Sequence, residues 1–176
     1  MKSHKIVLFL FLCFSVSLQV KSNTIDSLQN VLPSLPDDSV KVLTLLALCG
    51  EMMNENIDLM YDYGQEAKEL SEKINYPTGI VKGMNCMAIS LQMKGKIIAS
   101  LKIFEAAAKA AKDFGLFKLE SMMLNNIGVN LYLRGDYTQA YVHHHSAYKI
   151  DKALKDTVGI AITPVSYTHL TLPTKA

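Results

Sequence analysis

The chain has 176 residues, 49% of them hydrophobic and 19% charged, a composition that fits one globular domain and excludes a disordered or low-complexity chain. Its formal charge of +2 includes Lys2, Lys5 and Lys21 near the start and Lys175 near the end. Without those four, 14 of the 18 basic residues face 16 acidic ones, so no basic surface argues for nucleic acid or anionic lipid.

The first element in chain order is "MKSHKIVLFLFLCFSVSLQVKSN", in which Lys2 and Lys5 precede an apolar run from Ile6 to Phe14 and then small and polar residues. That order is the pattern of a secretory signal peptide, residues 1–22, with cleavage after Ser17 or Ser22. The run falls short of the ~20 apolar residues that a spanning helix needs. Cys13 follows Leu12, where a lipid-modified cysteine would follow a small residue, so lipidation is not expected. The mature chain is therefore expected to be exported and periplasmic, where disulfides can form, and it keeps Cys49 and Cys86. Both cysteines fall on the apolar side of helical patterns, which favours two buried free thiols over a bridge. Residues 23–37 read as an N-terminal linker.

From Asp38 to Lys155 the apolar residues recur at spacings of three and four with no alternating run, which predicts an all-α domain over 38–163. Sliding the chain against itself by forty places lays Asn85 on Asn125, Leu91 on Leu131, Gly95 on Gly135 and Ala107 on Ala147. The same step lays Ala67 on Ala107. Three helical hairpins are predicted, in units of about 39–78, 79–118 and 119–158. Their first helices span roughly 39–53, 79–93 and 119–133, and their second helices 57–74, 97–114 and 137–154. Asp37 or Asp38 is the predicted N-cap of the first. Asn54, Glu55 and Asn56 fill the first turn; Gly95 and Gly135 supply a positive φ at the other two. Ala88 and Gly128 are predicted to face Ser100 and Ala140, small residues that let two backbones approach.

The phrase "NNIGVNLYLRGDYTQA", with Leu91 and Leu131 late in the first helices and Ala140 and Ala147 in the last, resembles the tetratricopeptide repeat. The likeness is strongest in the third unit and weakest in the first, and the forty-residue spacing resembles the variety with lengthened helices. It implies a right-handed α-solenoid of antiparallel helical hairpins. With the leader, it resembles the exported N-terminal repeat region of bacterial membrane signalling proteins, whose downstream part can be a membrane helix with a histidine kinase or regulator output. A periplasmic scaffold built only of repeats, or an exported enzyme carrying a repeat domain, would share these features.

Such a solenoid turns its first helices toward a concave wall. The alignment places Lys82, Asn85, Ile89 and Gln92 of the second unit on it, and Met122, Asn125, Val129 and Tyr132 of the third. The asparagines offer donors and acceptors to an extended peptide, and Tyr132 offers a rigid amphipathic surface. A hydrogen bond from either asparagine to the neighbouring hairpin is the alternative role. The expected partner is a protein or peptide, with no nucleic acid, and with membrane only through a downstream segment. The lysine and arginine clamp by which some tetratricopeptide proteins hold a C-terminal carboxylate is not implied, because Asn85, Asn125 and Met122 stand there.

Catalytic chemistry, a metal site and a cofactor are not expected. His143, His144 and His145 are consecutive, so on a helix they point about 100° apart and cannot converge on one ion. Cys86 beside Asn85 lacks a histidine set in any orienting pattern, and no glycine-rich phosphate loop occurs. From Pro164 the acidic residues and the helical pattern stop, and "VSYTHLTLPT" resembles a translated sequencing-library adapter. Residues 164–176 are therefore expected to be a non-native tail that interrupts a further helix begun at "TVGIAIT".

Overall fold

The computed structural model describes residues 24–159. The expected leader, 1–22, and the adapter-like tail, 164–176, lie outside the described residues. Residues 24–31 form a first helix, α1, followed by a 3-10 turn at Leu32–Ser34. Six long helices follow: α2 (Ser39–Met52), α3 (Ile57–Lys73), α4 (Pro77–Met93), α5 (Ile97–Asp113), α6 (Phe117–Leu133) and α7 (Tyr137–Leu154). A further helical turn begins at 157–159, and the described residues contain no strand. The chain is an all-α, solenoid-like stack in which each helix packs on its neighbours in sequence, as three antiparallel hairpins, α2/α3, α4/α5 and α6/α7.

The linker expected over 23–37 is corrected by this geometry, because its residues are tied to the first hairpin. Ile25 packs beside Met52 and Met60, Leu32 beside Val42 and Leu45, and Gln29 Nε2 donates to Tyr63 Oη at 3.0 Å. Polar residues surround only two apolar contacts here, too few for the periodicity to stand out.

How the helices end decides their length. After α3, α4, α5, α6 and α7 a residue adopts left-handed φ: Asn75 (54°), Gly95 (71°), Gly115 (69°), Gly135 (85°) and Lys155 (55°). The next backbone N–H then reaches back to the helix, as Lys96 N to Leu91 O at 2.9 Å and Leu116 N to Ala111 O at 2.8 Å. The same closing bond joins Tyr76 to Ser71, Asp136 to Leu131 and Asp156 to Asp151. This is the Schellman arrangement, which satisfies carbonyls that the helix end would leave without partners. The stop recurs at 75, 95, 115, 135 and 155, so the backbone repeats every half of the forty-residue sequence unit. The first turn differs: Asn56 caps α3 by accepting from Asp58 N and Leu59 N, and no left-handed residue is needed. Asp38, not Asp37, caps α2 by accepting from Val40 N at 2.8 Å, while Asp37 pairs with Lys41.

The core runs through all three hairpins. Val42, Leu45, Ala67 and Leu70 fill the first, and Phe104, Ala107, Met123, Ile127 and Ala140 fill the space between α4 and α7. Tyr63 and Ile89 each touch two clusters and make the core continuous. Buried serines secure close helix contacts by donating to carbonyls of neighbouring helices: Ser90 to Ile57 O at 2.7 Å, Ser100 to Ala88 O at 2.7 Å, Ser121 to Ala147 O at 3.2 Å.

A close backbone-to-backbone approach between successive hairpins lies at Gly64 on α3 and Gly83 on α4. A Cβ on Gly83 would stand 2.6 Å from the Gly64 carbonyl oxygen, which is backbone and cannot swing away. Gly128 is likewise needed for space, but the group it meets is the His144 ring, 2.6 Å from an added Cβ, and not Ala140 as the alignment predicts.

Gly83→Ala is expected to push α3 and α4 apart and to lower stability by about 1–3 kcal/mol in urea unfolding. Gly50→Ala, with nothing within 4 Å of its added methyl, should instead be neutral or gain up to ~1 kcal/mol from helix propensity. Equal effects at the two sites would refute the close-approach account.

Candidate functional site

The predicted wall residues lie on α4 and α6, and three of them, Lys82, Met122 and Asn125, line one cavity of about 520 Å³. Lys118, Leu119, Ser121 and Asn126 of α6 complete one side. Asp151 of α7, then Asp156, Val158 and Gly159, complete the other. The cavity thus forms where a hairpin meets the start of the helix that follows it.

The remaining five predicted residues do not line it. Asn85 Oδ1 accepts from Asn126 Nδ2 at 3.0 Å, so this asparagine makes the bond to the next hairpin that was its alternative role. Ile89 is half-buried and packs on two core clusters. Gln92 and Val129 are half-buried farther along the helices. Tyr132 is 42% exposed, with its ring 5.3 Å from that of Tyr137 across the turn.

Asn125 is both wall and support. Its Oδ1 lies 3.1 Å from Nδ1 of His144, which is 1% exposed and packed against Gly128. His144 takes the place that Phe104 holds in the preceding hairpin, and Gly128 opposite gives the polar ring room. Burial holds the His144 imidazole below its usual pKa, with a smaller contribution from the charge of His143. His143 is lowered by burial too, against an opposing pull from Glu105. His145 stacks between Tyr141 and Tyr148, at 5.8 and 6.3 Å. The three histidines therefore enter three different environments. Among the described residues no group of three or more His, Cys, Asp or Glu side chains is placed to share a metal ion.

An ion pair closes one end of the cavity. Lys118 Nζ lies 2.8 Å from Asp156 Oδ2, and Asp156 also caps the turn at 157–159 by accepting from Val158 N and Gly159 N. The hydrogen bond from Lys118 holds the Asp156 carboxyl below the ordinary range and raises the lysine in return.

Asp151 was not among the residues the sequence singled out. It is 2% exposed, and its Oδ2 has no hydrogen-bond partner among the described residues. The forty-residue register carries the signal, because Ser71 and Ala111 occupy the equivalent places and both are fully buried. A carboxylate in that row marks a buried charge.

Cys49 and Cys86 are both free, but only Cys49 is buried; Cys86 keeps partial exposure, so the expectation of two buried thiols holds for one. The Cys49 thiol donates to the Met60 carbonyl oxygen at 3.6 Å, and the neighbouring sulfurs of the two cysteines act on each other: the contact lowers the Cys86 thiol and, with burial, raises Cys49.

Compared with known proteins, the chain matches no family model, and no curated protein matches it.

Acidification tests the His144 environment. A buried neutral imidazole has a folded pKa below its unfolded value, so the unfolded chain binds the proton first and stability falls as pH drops through about 6.5. Thermal unfolding between pH 7.5 and 5 should show that loss, and His144→Phe, with the side chain of position 104, should flatten it. A slope unchanged in His144→Phe would place the titration elsewhere.

Proposed function

We propose that this chain is a non-catalytic, tetratricopeptide-type binding module that holds a peptide or protein segment along α4 and α6. The observation that carries it is the cavity in which Lys82, Met122 and Asn125, three residues chosen from the repeat register alone, meet on adjacent hairpins. Pockets of a few hundred Å³ with apolar walls and a few convergent polar groups are the usual form of a binding site. Here Leu119, Met122 and Val158 are the apolar part, and Asn125, Asn126 and Asp151 the polar part. The second and third hairpins carry the best-matched repeat phrases, which supports the tetratricopeptide assignment. No cofactor is required.

The leader pattern over 1–22 supports an exported, periplasmic location, and its combination with forty-residue repeats supports the sensor or interaction region of a bacterial signal-transduction protein. A free periplasmic scaffold would use the same wall. No described helix is long and apolar enough to cross a membrane.

The wall is tested with peptides selected from a displayed random library on the full chain. Met122→Ala combined with Tyr132→Ala removes two side chains that are 37% and 42% exposed, so it should change stability by under ~1 kcal/mol in all. The selected peptides should bind this double variant at least ~10-fold more weakly. Undiminished binding with unchanged circular dichroism would move the binding surface off this wall.

A further inference from the structure

We propose that the cavity between α6 and the turn at 157–159 is a seat for a lysine side chain of the bound peptide, with Asp151 as its counter-charge. The seat presupposes the peptide groove proposed above and specifies what that groove selects.

A carboxylate that is 2% exposed with an unpartnered Oδ2 is an expensive thing to bury. Burial of a charge without a partner costs several kcal/mol, whereas an apolar residue of similar size there would cost nothing of the kind. Ser71 and Ala111 show that the fold accepts small uncharged groups at this place in the other two hairpins. The carboxylate is therefore not a requirement of stacking. What it lacks is a cation or a hydrogen-bond donor.

Among the described residues no direct ion pair supplies one, although Lys118 attracts the Asp151 carboxylate from a longer distance. Lys118 is engaged with Asp156 at 2.8 Å, and Lys82 lines the cavity without forming an ion pair with Asp151. The apolar Leu119, Met122 and Val158 line the same cavity as the carboxylate. A cavity that combines apolar walls with a buried carboxylate matches a side chain made of a methylene stem with a compact ammonium at its tip. Gly159 covers the carboxylate so closely that a Cβ there would stand 2.6 Å from the Asp151 Cγ. Entry of the ammonium lifts this one turn, which Asp156 tethers through Val158 N and Gly159 N. A small head group fits under it better than a planar guanidinium.

The test uses the full chain and two capped heptapeptides that differ only at the central residue, lysine in one and norleucine in the other, in a leucine and alanine frame. Binding is followed by backbone amide shifts and by titration calorimetry. The lysine peptide should bind at least ~10-fold more tightly and shift the amides of 118–126 and 151–159. Asp151→Asn should erase that preference while leaving the melting temperature equal or higher, because it removes a buried unpaired charge. Equal binding of the two peptides on the α4 and α6 wall would overturn the lysine seat and leave the groove standing. A lysine preference that survives Asp151→Asn would overturn it too. Failure of both peptides to perturb either α4 or α6 would refute the groove and the seat together.

Discussion

The whole stack depends on one backbone hydrogen bond, the one that closes each helix from α3 to α7 after its left-handed residue. It joins the residue after the left-handed one to a carbonyl in the last turn, at 2.8 to 2.9 Å in all five cases. Because it recurs at a fixed interval, α3 to α6 are each 17 residues long and the turns after them reverse the chain in the same way. Glycine takes the left-handed place three times, where it costs little, but Asn75 and Lys155 take it without that freedom. A lysine there costs roughly 1–2 kcal/mol, which the closing bond and the packing beyond it must offset. Side-chain caps are secondary, since Lys96 and Leu116 stand before α5 and α6 with no side-chain cap bond.

Fixed helix lengths put the same positions at every helix crossing, and the crossings are close because small residues occupy them. Gly64 against Gly83, Ser100 against the Ala88 carbonyl and Gly128 against His144 are three versions of one solution. The polar versions bring their own hydrogen bonds, so they do not leave donors stranded in the core. Asn130 shows both sides of this: its Nδ2 donates to Ser100 Oγ at 2.9 Å, while its Oδ1 is buried without a partner. The cavity by Asp151 arises at the next such crossing, where α7 meets the turn at 157–159 and the side chain is charged instead of small.

Periodicity made most of this legible from the sequence. The boundaries of α2 to α7 fall within two residues of the predicted ones, because apolar spacing and glycine at 95 and 135 report the same helix ends. Three things were hidden. The helix over 24–31 touches the core through few residues, so its pattern is faint. The Gly64 to Gly83 contact joins different hairpins, whereas the alignment compares equivalent positions and is blind to which pairs touch. Asn85 and Asn125 were placed on the correct helices, but whether an amide meets solvent or Asn126 and His144 depends on distances that spacing does not carry. Asp151 could have been found as the one charged residue in a row otherwise made of Ser71 and Ala111.

The central claim is that the α4 and α6 wall, and not the outer second helices, is the working surface. Backbone amide shifts of the full chain, recorded with an equimolar mixture of random capped heptapeptides, address it directly. The account predicts that the perturbed amides cluster around Lys82, Met122, Asn125 and Tyr132, with α5 and the exposed face of α7 at Tyr141 and Val142 unaffected. Shifts concentrated at Ile98, Lys102, Tyr141 and Val142 would contradict it and assign binding to the second helices.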